Sequence, residues 1–183
     1  LKTILGLLIY PFNSTMAYTY LISYPDDELL LWDKLNRSKK TVGYAGHDTT
    51  ARLNIWGDKF IRFPTYETSF NLISNHILTQ SELTGQFSKD KKKVINSLKN
   101  GNFYFAFDIL GATQGFIAEV TGENKIYLQG QEIKLQKDTK LIVELPNHIR
   151  RPIQVKVIKD GEVYSSSTSQ KTVLNIAAPG VYR

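Results

Sequence analysis

The stretch Val94-Ile95-Asn96-Ser97-Leu98-Lys99-Asn100-Gly101-Asn102-Phe103-Tyr104-Phe105-Ala106-Phe107-Asp108 carries the chain from one periodicity to another. Upstream of Gly101, Val94, Ile95 and Leu98 recur at helical spacing, which predicts a helix over 88–100 stopped by Asn100-Gly101. Downstream, Phe103, Phe105 and Phe107 alternate with Tyr104, Ala106 and Asp108, the period of a half-buried strand. The alternation returns at 116–120, 125–128, 141–145, 153–159, 162–166 and 172–176, with Asp160-Gly161 as a two-residue hairpin turn. Short strands parted by turn residues, with no helix among them, predict a β-sandwich of immunoglobulin-like type over residues 102–183.

Residues 1–101 mix helical and strand patterns, so the expected class is α+β. Ser14 is placed to cap a short helix reaching Ser23, and Pro25-Asp26-Asp27-Glu28 opens another with acids at the positive end of its dipole. Leu31, Trp32 and Leu35 then share one helical face. Thr41 to Gly46 is nearly uncharged and reads as a strand apolar on both sides, as in a parallel sheet. It ends at His47-Asp48. Arg52 to Pro64 reads as a long irregular segment with Trp56, Phe60 and Phe63, followed by a helix over 66–73 and a short buried segment, 73–79, carrying His76.

Of the 183 residues, 42% are apolar, enough for a packed core in one domain or two small ones. The 23 basic and 17 acidic residues leave a net charge of +6, dispersed except at Lys89, Lys91, Lys92 and Lys93. Those lysines read as a solvated helix face, and a balance this mild gives no strong nucleic-acid signal. Absence of cysteine excludes disulfides, zinc knuckles and thiol nucleophiles. The apolar stretch Leu1–Tyr10 is shorter than the roughly 20 residues of a spanning helix and lacks the flanks of a signal peptide, so it reads as an interior segment of a longer protein.

Candidate chemistry centres on Gly46-His47-Asp48-Thr49-Thr50. A histidine at position 50 would complete an Asp-x-His metal corner; Thr50 stands there instead. Asp48 is a metal ligand or a turn-capping carboxylate. His47 is the second metal candidate, against the plainer reading of a packing histidine, since on an extended strand it faces away from Asp48. Arg52, just after the corner, suits phosphate, although arginines in such places commonly form surface pairs. His76 reads as a hydrogen-bonded core residue and His148 as an exposed loop residue. No phosphate-binding glycine loop, Ser-His-Asp order or nucleophile elbow occurs.

Leu31-Trp32-Asp33-Lys34-Leu35, Gly46-His47-Asp48-Thr49-Thr50-Ala51, Asn75-His76-Ile77-Leu78, the 94–101 stretch and Pro179-Gly180-Val181-Tyr182-Arg183 together resemble the C-terminal half of the polymerase and histidinol phosphatase (PHP) superfamily. The resemblance implies a distorted (β/α) barrel, here its C-terminal part over 1–101, with the sandwich of 102–183 appended. It also implies a divalent metal cofactor (zinc, manganese or magnesium) and hydrolysis of a phosphoester, small molecule or nucleotide, by metal-activated water. Asp48 matches the aspartate of the family's late Gly-x-Asp-x-His motif, and Thr50 departs from its histidine. The family's earlier ligands have no counterpart here, where His47, His76 and His148 are the only histidines. On this reading the segment alone is inactive, its partner is the N-terminal remainder of the barrel, and Thr50 marks a degenerate relative if it abolishes activity. The competing expectation is a non-enzymatic β-sandwich binding or interaction module. An appended sandwich is common on exported proteins and leans the location towards the cell envelope or periplasm.

Overall fold

In a computed structural model that describes residues 2–47, 49, 52–61, 64–123 and 125–183, the N-terminal stretch folds into two short helices, α1 (Lys2–Ile9) and α2 (Ser14–Leu21). The cap of α2 is Asn13, whose Oδ1 accepts from the Met16 N–H at 2.9 Å, one residue before the expected Ser14. There follow α3 (Asp26–Asn36), β1 (Leu53–Trp56), β2 (Lys59–Ile61), α4 (Tyr66–Phe70), β3 (Ser74–Ile77) and α5 (Phe87–Asn100). The remaining elements are β4 (Phe103–Ala106), β5 (Ile117–Gly122), β6 (Lys125–Leu128), β7 (Lys140–Glu144), β8 (Val155–Lys159), β9 (Glu162–Ser167) and β10 (Lys171–Asn175). Helices are mixed with several antiparallel sheets, and the chain is α+β. Among the described residues no helix is long and apolar enough to cross a membrane.

The chain divides into two units. The first gathers residues up to Pro25, Tyr44–Asn75 and Phe105–Ala112. It holds the α1–α2 hairpin, where Ala17 is fully buried, and the antiparallel hairpin β1–β2. That hairpin replaces the irregular run expected over 52–64; Gly57, at φ +52°, lets the chain reverse between two residue runs too short to show their alternation. Much apolar surface stays exposed, including Leu8, Phe12, Trp56 and Phe70.

The second unit gathers Asp26–Gly43, His76–Tyr104 and Thr113–Arg183. Its main sheet has the order β10-β7-β5-β6, antiparallel throughout. Central Val143 is flanked by Ala118 and Thr172 and lies, with Leu145 and Ile176, among its few buried apolar side chains. β8 and β9 form a separate hairpin through Asp160 and Gly161, at φ +50° and +92°, the left-handed pair that a tight two-residue turn requires. Residues 181–183 pair antiparallel along β8: Ile158 and Arg183 exchange backbone hydrogen bonds of 2.7 and 2.9 Å.

Three further departures from the sequence reading have local causes. Thr41 to Gly46 forms no strand ladder. Side chains of α3 occupy the backbone groups a ladder would use: Trp32 Nε1 donates to Thr41 O at 2.7 Å and Asn36 Oδ1 accepts from Thr41 N at 2.8 Å. On α3 itself, Leu31 and Leu35 are exposed whereas Asp33 is buried, so an ion pair rather than the apolar stripe fixes which face turns inward. Finally, β4 pairs with β3, not with the later strands. The flanking bonds Leu78 N to Asn102 O (2.9 Å) and Ile109 N to Leu72 O (3.5 Å) run in opposite numerical order, which makes this ladder antiparallel.

Helix α5 matches its prediction closely. Gly101 closes it in the left-handed conformation, donating to Ser97 O and Leu98 O. Ser97 Oγ donates to Leu78 O at 2.8 Å, and the inward face is Val94, Ser97 and Leu98, with Ile95 turned outward.

Candidate functional site

The loop of the first unit that carries His47 is positioned by Asn75. The Asn75 side-chain amide pairs with the backbone of Ala45 on both sides, accepting from its N–H at 3.1 Å and donating to its carbonyl at 2.9 Å. One side chain thus does for Ala45 what a neighbouring strand would do, and it fixes the chain two residues before His47. Helix α4 supplies the wall. Thr65 caps it, its Oγ1 accepting from Thr68 N at 3.3 Å, and Phe70 at its end meets the His47 ring edge to face at 5.5 Å. Tyr66 stacks on Phe70 at 5.9 Å, so the imidazole borders a small aromatic shelf.

His47 Nε2 is buried and has no hydrogen-bond partner among the described residues. A buried polar nitrogen left so costs about 1–3 kcal/mol of desolvation. Thr49 Oγ1 donates to the His47 carbonyl at 3.4 Å. Asp48 and Thr50, the other residues of the expected corner, lie outside the described residues. Arg52 is placed with its guanidinium 4.4 Å from the Phe60 ring centroid, a cation–π contact across the β1–β2 hairpin. Among the described residues no group of three or more His, Asp or Glu side chains is gathered as a metal centre needs.

Tyr18 of α2 also belongs to this unit. Its hydroxyl lies 3.2 Å from Ser69 Oγ, and burial pushes its phenol above the ordinary tyrosine range.

The other two histidines sit in different settings. His76 on β3 stacks on Tyr104 of β4 at 4.8 Å with rings 6° from parallel, and its Nε2 lies 3.4 Å from Thr113 Oγ1. It is half-buried and hydrogen-bonded, as its apolar surroundings in the sequence suggest. His148 is exposed in a turn.

A second polar cluster, within the second unit, has no counterpart in the sequence reading. Arg183 grips Asp33 with both ends of its guanidinium, Nε to Oδ1 and Nη2 to Oδ2 at 2.7 Å each. Beside it Arg37 donates to the Asp160 carbonyl, and Lys159 Nζ lies 2.9 Å from Asp160 Oδ2. The backbone N–H of Val181 (2.9 Å), then Lys159, hold the Asp160 carboxyl below the usual carboxylate range. Arg37, Lys159 and Asp160, with Glu162, Val163 and Tyr164, line an open hollow of about 260 Å³. Asp160 engages both of its cations, so the cluster ties the chain end to the hairpin instead of presenting charge to a ligand. The signal was present in sequence only as the charged residues Asp33 and Arg183, which stand 150 positions apart.

Comparison with protein-family models, with curated proteins and with solved structures finds no match to this chain.

Proposed function

We propose that this chain is the C-terminal portion of a PHP-like metal-dependent phosphoesterase, or of a relative that Thr50 has made degenerate. In this reading a barrel segment precedes an immunoglobulin-like sandwich. The observation that supports it is the buried His47 Nε2, which has no hydrogen-bond partner among the described residues, held on a loop fixed by Asn75 and followed directly by Asp48. A divalent metal is the partner such a nitrogen lacks, and when bound it supplies an activated water for attack on phosphorus. The residues fit that group in part: His47 and Asp48 offer two ligands, and the N-terminal remainder of the barrel would supply the others. Arg52 follows closely enough in sequence to meet a phosphate oxygen once it leaves Phe60.

Calorimetric titration with Zn²⁺ and Mn²⁺ tests the reading on this chain, with phosphatase assay of the longer protein as the second arm. Binding weakened at least tenfold in both His47→Gln and Asp48→Asn supports it. Equal binding by wild type and variants removes the metal role of this pair, and absence of both bound metal and turnover in the longer protein leaves only the degenerate relative. The second reading, a non-enzymatic interaction module, is favoured by the burial of Val143, Leu145, Val157 and Ile176, a core built without residues 44–51. It predicts that His47→Gln leaves partner capture unchanged.

A further inference from the structure

Helix α5 turns Lys89, Lys91, Lys92, Ile95 and Lys99 to solvent. At the helical rise of about 1.5 Å per residue, the four lysines extend over roughly 15 Å of one side. No acid interrupts them. The single acidic residue of the helix, Asp90, is only 16% exposed in its side chain and faces the preceding loop. There it accepts from Thr84 N, Gly85 N and the Thr84 hydroxyl at 2.8 to 3.1 Å. Lys93 is turned away as well, donating to the Glu82 carbonyl.

The N-terminal end of this basic face carries a large apolar side chain in water, Phe87, which is 78% exposed. Lys91 Nζ lies 5.8 Å from the Phe87 ring centroid, so ring and cation share one surface. Ile95, 40% exposed, continues the apolar line between Lys91, Lys92 and Lys99.

We propose that this face of α5 docks on an anionic lipid bilayer. A phosphate backbone would match the lysines but offers Phe87 and Ile95 nothing. A bilayer surface matches both, with anionic headgroups for the ammonium groups and the acyl boundary for the two protruding side chains. Lysine stems lie along such a boundary and lift their heads to the phosphate level. The helix lies in the surface plane; among the described residues no helix is long and apolar enough to cross the bilayer.

The test is sedimentation of the full chain with phosphatidylserine-containing vesicles and with pure phosphatidylcholine vesicles. Binding to the anionic vesicles only, reduced by salt, is expected. Each lysine near an anionic surface is worth roughly fivefold in partitioning, so Lys91→Glu with Lys92→Glu lowers binding by more than about twentyfold, and Phe87→Ser lowers it severalfold. All three positions are exposed, and unchanged far-UV circular dichroism confirms that the variants fold. Equal binding to both vesicle types overturns the proposal, as does anionic-vesicle binding that survives the double charge reversal, because it would then run through another surface such as exposed α1. Absence of vesicle binding, or competition by polyglutamate at charge-equivalent concentration that leaves Phe87→Ser indistinguishable from wild type, overturns it too, the latter in favour of an acidic protein partner.

Discussion

Replacing Asp33 with alanine is expected to destabilise the second unit more than any surface charge change. The Asp33 side chain is 7% exposed and that of Arg183 21%, and two charge-assisted hydrogen bonds of 2.7 Å join them in the fork geometry that favours arginine. The Gly161 turn lies over the carboxylate: a Cβ built there would be 3.7 Å from Asp33 Oδ2. Breaking a fully buried pair costs about 3–5 kcal/mol because the surviving charge loses its partner but not its burial. Arg183 retains access to water, which places Asp33→Ala at about 2–3 kcal/mol. The pair Asp33→Leu with Arg183→Met removes both charges and should fall within about 1 kcal/mol of wild type. Urea unfolding followed by tryptophan fluorescence measures this, because Trp32 sits on α3 with its Nε1 bonded to Thr41 O, whereas Trp56 is 85% exposed and reports little. A loss below about 0.5 kcal/mol for Asp33→Ala, or a double variant as unstable as the single, would refute the reasoning.

Thr172 is 7% exposed and its hydroxyl has no partner among the described residues, so Thr172→Val should raise stability by about 1 kcal/mol, read as a higher urea midpoint. Gly130 sits at φ +79°, and a Cβ there would run into the backbone of Asn100 and Gly101. Gly130→Ala should therefore cost more than about 2 kcal/mol and lower the thermal midpoint. Asp160 binds Val181 N–H and Lys159 as a carboxylate, so its contribution is present above the ordinary carboxylate pKa and lost as pH falls through its depressed folded value. Lys159, raised mainly by its hydrogen bond to Asp160, contributes below the ordinary lysine pKa and loses that contribution as pH rises through its folded value. The contribution of this pair should hence be flat through neutrality and fall at both ends, and Asp160→Asn should reduce both limbs in urea midpoints measured across the pH range.

The legible parts of this chain were those whose cause is local. Helix α5 and its glycine stop, the paired strands β5 and β6, and the Asp160-Gly161 hairpin follow from periodicity and turn chemistry within a dozen residues. The candidate site was legible only as a pair of residue types. That Asn75 would hold Ala45, and that Phe70 would close over the His47 ring, depends on residues more than twenty positions away, which no spacing rule encodes.

The sequence by itself determined the α+β class, the change of period at Gly101 and the place where metal-capable side chains occur. Tertiary structure alone decided which groups became partners. Thr41 to Gly46 has the composition of a strand, yet Trp32, Asn36 and Asn75 satisfy its backbone with side chains, so no ladder forms. Helix α3 has an apolar stripe, yet it buries Asp33, because a guanidinium 150 residues further on offers two hydrogen bonds that leucine cannot match. Apolar periodicity says that a face will be covered; hydrogen bonds and charges, which must each meet a specific partner, say by what.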